Sequence, residues 1–402
     1  MNIFKSILAV GLASVLALAI PLGASRNSTE DSGLKFNSDG KFKILMIADS
    51  QDTDTPQKNT IDLIEAALDS EKPDLVLFSG DNTAGGWSGA TEEKTKKAID
   101  HIIAPIEKRE IPFAIVFGNH DHEGGVPREK LMAMYQEHKG CLAIVGEEMT
   151  GCGTYNLLIK DSKNEKDVFN IWMIDSGDYN PNGGYAYVAS DQIAWYEKQS
   201  NKLKEANNGK ILPSILVQHI AVPEVYQLFK EVDKDTEGAV RGNSCFEDKY
   251  FIATDKVTQG AMREGPCSPN ENNGQFASWK KQGDILGAFF GHDHVNDYSG
   301  VIDDIVLTNC LGAGFFSYGN PHGVRTIELD EKDLTTFKTE SKIFEDLVGK
   351  KPSNYLISKF GYDLYSKAFL TCVALVVFSG IVTTFAVLFK KHRRKKKGGM
   401  QK

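Results

Sequence analysis

Three stretches are apolar at every position: Ile44-Leu45-Met46-Ile47-Ala48, Leu75-Val76-Leu77-Phe78 and Phe113-Ala114-Ile115-Val116-Phe117. A strand with one wet face alternates apolar and polar residues, so uninterrupted runs predict strands covered on both sides. A helical pattern fills about 57–70, between the first two runs. Thr91-Glu92-Glu93-Lys94 opens another helix before the third, with Thr91 placed to cap it. Strand, helix, strand, helix, strand predicts parallel pairing and an α/β fold with helices on the sheet. The later chain is more mixed. Strands are expected at 155–160, 169–174, 214–218, 286–290, 305–308 and 324–329, a helix at about 190–204 and a shorter one near 223–230. Residues 231–280, rich in Gly, Asn and Asp, predict a loop-like insertion. No stretch repeats, which argues against a solenoid.

The two ends carry different patterns. Residues 1–25 start with Lys5, run apolar from Ile7 to Leu22, and finish on Gly23-Ala24-Ser25, as a cleaved secretory signal peptide does. Residues 26–42 are polar and predict a flexible lead-in. Ala368 to Phe389 holds 22 residues without a charge. As a helix rising about 1.5 Å per residue it is about 33 Å long, enough for a hydrocarbon core of about 30 Å. Seven of the eight residues from Lys390 to Lys397 are fixed cations, which predicts a cytosolic tail at 390–402 that also attracts anionic headgroups. Tyr355, Phe360, Tyr362 and Tyr365 suit an interfacial belt within a juxtamembrane segment at 336–367. One folded domain remains, at 43–335. The expected arrangement is a single-pass type I membrane protein whose domain is lumenal or extracellular, at the plasma membrane or in an endolysosomal compartment.

Composition narrows the classes. The 402 residues are 41% hydrophobic and 25% charged, as in ordinary globular chains. Removing the eight cations of 390–402 from the net charge of −8 leaves −16 on the rest. Such a body argues against sequence-independent nucleic-acid binding. A secretory address permits disulfides. Cys141 with Cys152, and Cys245 with Cys267, bracket short stretches suited to pairing, Cys310 is left over, and Cys372 falls within the apolar span. Sequence alone does not fix that connectivity. Asn27-Ser28-Thr29 is a glycosylation sequon.

The candidate chemistry lies just past the apolar runs. Asp49 follows the first, Gly80-Asp81-Asn82 the second and Gly118-Asn119-His120-Asp121 the third; His219 and Gly291-His292-Asp293-His294 follow later strands. In α/β sheets ligands gather at the carboxyl ends of strands, so these groups should share one rim. A lone Gly-Asp is usually a turn, and a lone histidine is usually a core residue. Their joint order fits a two-metal phosphoesterase, where paired cations activate water and neutralise the phosphoryl group. Asp81 is the expected bridge, with Asp49 and His294 completing one metal and Asn119, His219 and His292 the other. Imidazoles suit Fe or Zn, and carboxylates also admit Mn or Mg. His120 should face the leaving-group oxygen, with Asp121 orienting it.

These motifs resemble the calcineurin-like metallophosphoesterase superfamily, whose pattern runs Asp-x-His, Gly-Asp, Gly-Asn-His-Asp/Glu, His, Gly-His-x-His. The closer similarity is to single-domain members related to purple acid phosphatases, over roughly 41–330. It implies a catalytic domain built as a four-layer α/β/β/α sandwich, carrying two divalent or trivalent metals and taking a phosphate-ester substrate. Two positions depart from the pattern. Gln51 stands where the superfamily often has a ligating histidine, and its amide oxygen is a weaker ligand. Ala84 stands where purple enzymes carry the iron-binding tyrosine, so a colourless protein is expected. The expected function is hydrolysis of phosphomonoesters by in-line attack of a metal-bridging hydroxide. A phosphodiesterase on the same scaffold is the alternative, and a catalytically silent receptor ectodomain a remoter one. Asp175 to Tyr179 either line the cleft or form a turn beneath it; His122, His322 and Arg325 are weaker candidates for substrate contact.

Overall fold

The computed structural model describes residues 32–362 and scattered positions from 364 to 384. Its first half follows the apolar runs: β1 (Lys41–Ile47), α1 (Lys58–Glu71), β2 (Leu75–Ser79), α2 (Glu92–Glu107) and β3 (Phe113–Val116). The three strands pair in parallel. Thr91 caps α2 by accepting from the Lys94 N–H. Next come α3 (Arg128–Gln136), β4 (Tyr155–Lys160), β5 (Asp167–Met173), α4 (Ser190–Ala206) and β6 (Ser214–Val217). The insertion holds β7 (Phe229–Val232), β8 (Val240–Arg241), β9 (Tyr250–Ala253) and β10 (Val257–Gln259). The rest is α5 (Gln275–Gln282), β11 (Ile285–Phe290), β12 (Ser299–Ile302), β13 (Ile305–Asn309), β14 (Gly323–Asp330), β15 (Asp333–Ile343) and α6 (Phe344–Val348).

Two large sheets result, ordered β15-β14-β1-β2-β3 and β10-β12-β13-β11-β6-β5-β4. Alternation along the second sheet shows how the layers meet. Ile215, Val217 and Phe289 join a core shared with Ile44, Met46 and Leu77 of the first sheet. Their neighbours Leu216, Ala288 and Phe290 point the other way, into a second core with Trp195 of α4 and Trp279 of α5. Successive strand residues face opposite sides, so β6 past Ser214 and all of β11 carry no polar side chain because both faces are covered. On the far side of the first sheet, Leu63 and Ile64 of α1 and Ile99 and Ile103 of α2 complete a mixed α/β sandwich.

Several expectations need correction. Residues 32–40 are not a loose lead-in: Leu34 and Phe36 are buried, and the backbone at 34–36 pairs with Lys160. The stretch near 223–230 is a 3-10 turn, Pro223–Leu228, followed by β7. The insertion is ordered as a small sheet, β7-β9-β8, with β10 and α5 beyond it. The domain continues past 335, because β15 runs to Ile343 on the edge of the first sheet. Neither expected disulfide is formed. Cys152 is buried, which pushes its thiol up to about 12; the Cys267 sulfur accepts from Asn243 Nδ2 at 2.7 Å, while Cys245 is exposed.

The signal-peptide segment, the sequon and the 390–402 tail lie outside the described residues, as do many positions of 368–389. Among the described residues no helix is long and apolar enough to cross a membrane.

Candidate metal centre

Asp49, Asp81, His219 and His292 each stand two residues past a strand, β1, β2, β6 and β11, and Asn119 three past β3. The carboxyl ends of both sheets thus meet at one place. The chain turns sharply there. Asp49 (φ 48°), Gln51 (φ 32°), Asp81 (φ 50°) and His292 (φ 73°) all hold left-handed backbones. Such a residue costs on the order of 1–3 kcal/mol and persists only where its surroundings fix it. The preceding glycines let the loops touch. A Cβ on Gly118 would lie 2.2 Å from Asp81 Oδ1, and one on Gly80 would lie 2.7 Å from the Gly118 nitrogen.

The side chains converge. Asp81 Oδ2 lies 3.2 Å from His219 Nε2 and 3.2 Å from Gln51 Nε2. His219 Nε2 is also 3.1 Å from Asn119 Oδ1 and 3.2 Å from His292 Nδ1. Asp49 accepts from the His292 N–H, and its Oδ1 lies 3.5 Å from His294 Nε2. Two ligand groups emerge, Asp81-His219-His292 and Asp49-Asp81-His294, each with its donor atoms within 4.8 Å of one another. Asp81 belongs to both. His219 Nδ1 faces the Ser79 carbonyl at 3.0 Å and His294 Nδ1 the Tyr318 carbonyl at 2.9 Å. In its neutral form each ring would keep its proton on Nδ1, against a backbone carbonyl, and turn the Nε2 lone pair inward for a cation.

The electrostatics are those of donors crowded together. Burial pushes the Asp49 carboxyl up to about 8, against the pull of His219. Burial acts on Asp81 too, but His219 and His120 overcome it and hold that carboxyl below the usual range. His219 is lifted to about 9, because Asp81 and Asp49 outweigh its burial. Burial takes His294 down to about 4 and lowers His292 well below the ordinary histidine value. Gln51 Oε1 and His292 Nε2 are buried without a hydrogen-bond partner, a costly state that a ligand relieves. Two carboxylates, an amide, three imidazoles and orphaned acceptors fit a pair of cations.

His120 stands at the edge of this cluster. Its Nε2 is 4.0 Å from Asp81 Oδ2, and its Nδ1 is 2.8 Å from Glu123 Oε2. Burial opposes its charged form, but Asp81 and Glu123 outweigh it and raise its pKa. The expected orienting role of Asp121 therefore passes to Glu123. Asp121 is buried and accepts the N–H groups of Asn82, Thr83 and Gly118 at 2.9, 3.0 and 2.8 Å, tying the β2 and β3 loops together. Glu123 Oε1 accepts from the Tyr179 hydroxyl at 3.0 Å, and that hydroxyl accepts from Asn119 Nδ2 at 2.9 Å. Tyr185 stacks on Tyr179 and meets the His292 ring edge-on at 4.3 Å.

The stretch at 175–179 divides between its two readings. Asp175 is buried beneath the site, 3.0 Å from Arg128 Nη1, while Tyr179 faces it. His122 pairs with Asp178 at 3.0 Å. His322 and Arg325 are buried among backbone carbonyls and hydroxyls, which removes them as phosphate contacts. Glu123 and Tyr185 were not singled out from sequence. Glu123 had one signal, an acid three residues after His120.

Comparison with known proteins bears on the same residues. The family model described as calcineurin-like phosphoesterase matches residues 42–296. The Arabidopsis thaliana protein named "Probable inactive purple acid phosphatase 14" is 30% identical over 360 residues, 80% of this chain and 83% of its own. "Probable inactive purple acid phosphatase 29" of the same plant is 30% identical over 359 residues, covering 81% and 84%. Among solved structures, a dimetal phosphatase from Danio rerio is similar at a TM-score of 0.46 and 12% identity, over 75% of this chain and 98% of that one.

Proposed function

The chain belongs to the calcineurin-like phosphoesterase family, and from that premise we propose a metal-dependent phosphatase that cleaves phosphomonoesters beside Asp81. The supporting observation is that Asp81 takes part in both ligand groups. A shared carboxylate offsets the repulsion between two neighbouring cations, as a neutral ligand does not. Asp49, Asp81 and His294 would hold one ion, joined by the Gln51 amide oxygen once that amide turns over, since its Nε2 now faces Asp81; Asp81, Asn119, His219 and His292 would hold the other. Oxygen and nitrogen donors without sulfur suit Fe, Zn, Mn or Mg. When bound, such a pair supplies a strong nucleophile from water and neutralises charge on the phosphoryl group.

The chain's own residues place and protonate. Ser79 and Tyr318 carbonyls fix the rings of His219 and His294. Glu123 holds His120 so that its Nε2, at the cluster's edge, gives a proton to the leaving oxygen. Tyr179 and Tyr185 wall one side, which narrows the room for the second arm of a diester. The word "inactive" stands in the names of the plant relatives. Activity is proposed here because the ligand cluster keeps two carboxylates, an amide and three imidazoles.

The test compares p-nitrophenyl phosphate with its bis ester, using purified full-length chain and each metal in turn. The monoester should be the better substrate, and Asp81→Asn should lower turnover at least about 100-fold. Equal rates in wild type and Asp81→Asn would sink the enzyme reading. Preference for the bis ester would convert it to a phosphodiesterase.

Single-pass anchorage, with the domain lumenal or extracellular, belongs to the same reading. Its support is the exposed apolar series Leu364, Leu370, Leu375, Phe378, Ile381 and Val382, followed by the cations from Lys390. Release of the full-length chain from membranes by alkaline carbonate would contradict it.

A further inference from the structure

The helical segment that starts at residue 355 has two unlike faces. Tyr355, Leu356, Phe360 and Tyr362 are exposed, whereas Ser358 and Gly361 are buried. The buried face rests on the loop at 312–322. The Ser358 carbonyl accepts from His322 Nε2 at 2.8 Å, and the Tyr362 N–H donates to the Phe315 carbonyl at 3.1 Å. A Cβ on Gly361 would lie 2.4 Å from the Ser317 carbonyl carbon, and its φ of 78° is left-handed. Only glycine meets both conditions at that point.

The opposite side of the same loop carries His294. The Tyr318 carbonyl faces His294 Nδ1 at 2.9 Å, and the two rings stack at 4.4 Å and 10°. The Gly312 N–H donates to the His294 carbonyl at 2.8 Å. His322 joins the two sides. Its ring stacks on Phe315 at 3.8 Å, and its Nδ1 lies 3.3 Å from the Gly312 carbonyl. A neutral imidazole has one N–H, and the shorter contact assigns it to Ser358.

We propose that the segment at 355–362 is a brace for one half of the metal centre. Ser358, Gly361 and His322 are positioning residues: they fix the 312–322 loop, which in turn sets the tautomer and ring plane of His294 against Asp49 and Asp81. The half built on His219 and His292 has its own support in the Ser79 carbonyl and does not depend on the brace. This inference rests on the dinuclear reading above.

The experiment uses the full-length chain in detergent, with a protease site inserted at Lys351-Pro352. The protein folds intact and is then cut, so folding is not at issue. Zn binding is followed by equilibrium dialysis and elemental analysis before and after cleavage. Both ions should bind beforehand. Afterwards one ion should weaken about 10–100-fold, the size of effect seen when a ligand loses its outer partner, and the other should be unchanged. Gly361→Val should reproduce that split without cleavage, while Phe360→Ser, on the exposed face, should leave both affinities alone. Two unchanged affinities after release of the segment overturn the brace, and equal weakening of both ions overturns its selectivity. An uncut protein that binds no second ion refutes the dinuclear reading and this inference with it, a result distinct from the first two.

Discussion

Asp121 and Glu123 sit two positions apart and perform different work. Asp121→Ala strands the N–H groups of Asn82, Thr83 and Gly118, each at about 1–3 kcal/mol. Chemical denaturation should register a loss of at least about 3 kcal/mol. Glu123→Gln removes a partially exposed charge beside His120 and should leave stability within about 1 kcal/mol. Its effect should appear in leaving-group dependence. Alkyl phosphates, whose leaving oxygen needs a proton, should slow about 10–100-fold, and p-nitrophenyl phosphate much less. Equal slowing of both substrates removes His120 and Glu123 from the proton path. The residues around Asp81 were legible because each follows a fully apolar strand, and Gly80, Gly118 and Gly291 mark loops that must touch. Glu123 was not legible, because periodicity does not set side-chain direction in an irregular loop. Tyr179 was visible only as part of a stretch with two readings, since its hydroxyl reaches Asn119 from sixty residues away.

At the level of elements, the parallel strands could be read because burial on both faces leaves an unbroken apolar run. β15 could not. It lies on a sheet edge, and its Thr-Thr-Phe-Lys-Thr-Glu-Ser-Lys sequence is mostly polar. The small sheet of the insertion escaped for a similar reason, since β8 has two residues and β7 is largely exposed. Asp284 shows what binds elements beneath the second sheet. It accepts from Trp172 of β5, Tyr196 of α4 and Ser214 of β6. Burial raises its pKa although all three donors oppose that. A carboxyl raised on folding contributes stability in full below its unfolded value of about 3.9 and loses it as pH climbs through the folded value. Asp284→Asn should flatten that decline in a stability-versus-pH series. A wild-type curve already flat there would contradict the assignment.

For the whole molecule, the candidate metal centre is a point where the carboxyl ends of two stacked sheets are joined by groups that repel or lack partners. Cations binding the folded state alone stabilise it by about 2.7 kcal/mol at a hundred times the dissociation constant. Thermal unfolding should therefore shift upward with Zn or Mn in wild type, and much less in Asp81→Asn. A metal-independent melting temperature would mean that the cluster holds no ion. The order of ligands along the chain foretold one rim, because parallel strands bring their carboxyl ends together. It did not foretell that residues past 350 would reach back to that rim.

That reach has a practical corollary. Trimming the chain after its last strand is the ordinary way to obtain a soluble domain, and it would discard residues 355–362. The fragment would keep every ligand and still lose its grip on one ion. A lack of turnover in such a fragment would describe where the chain was cut, not what the intact chain can do.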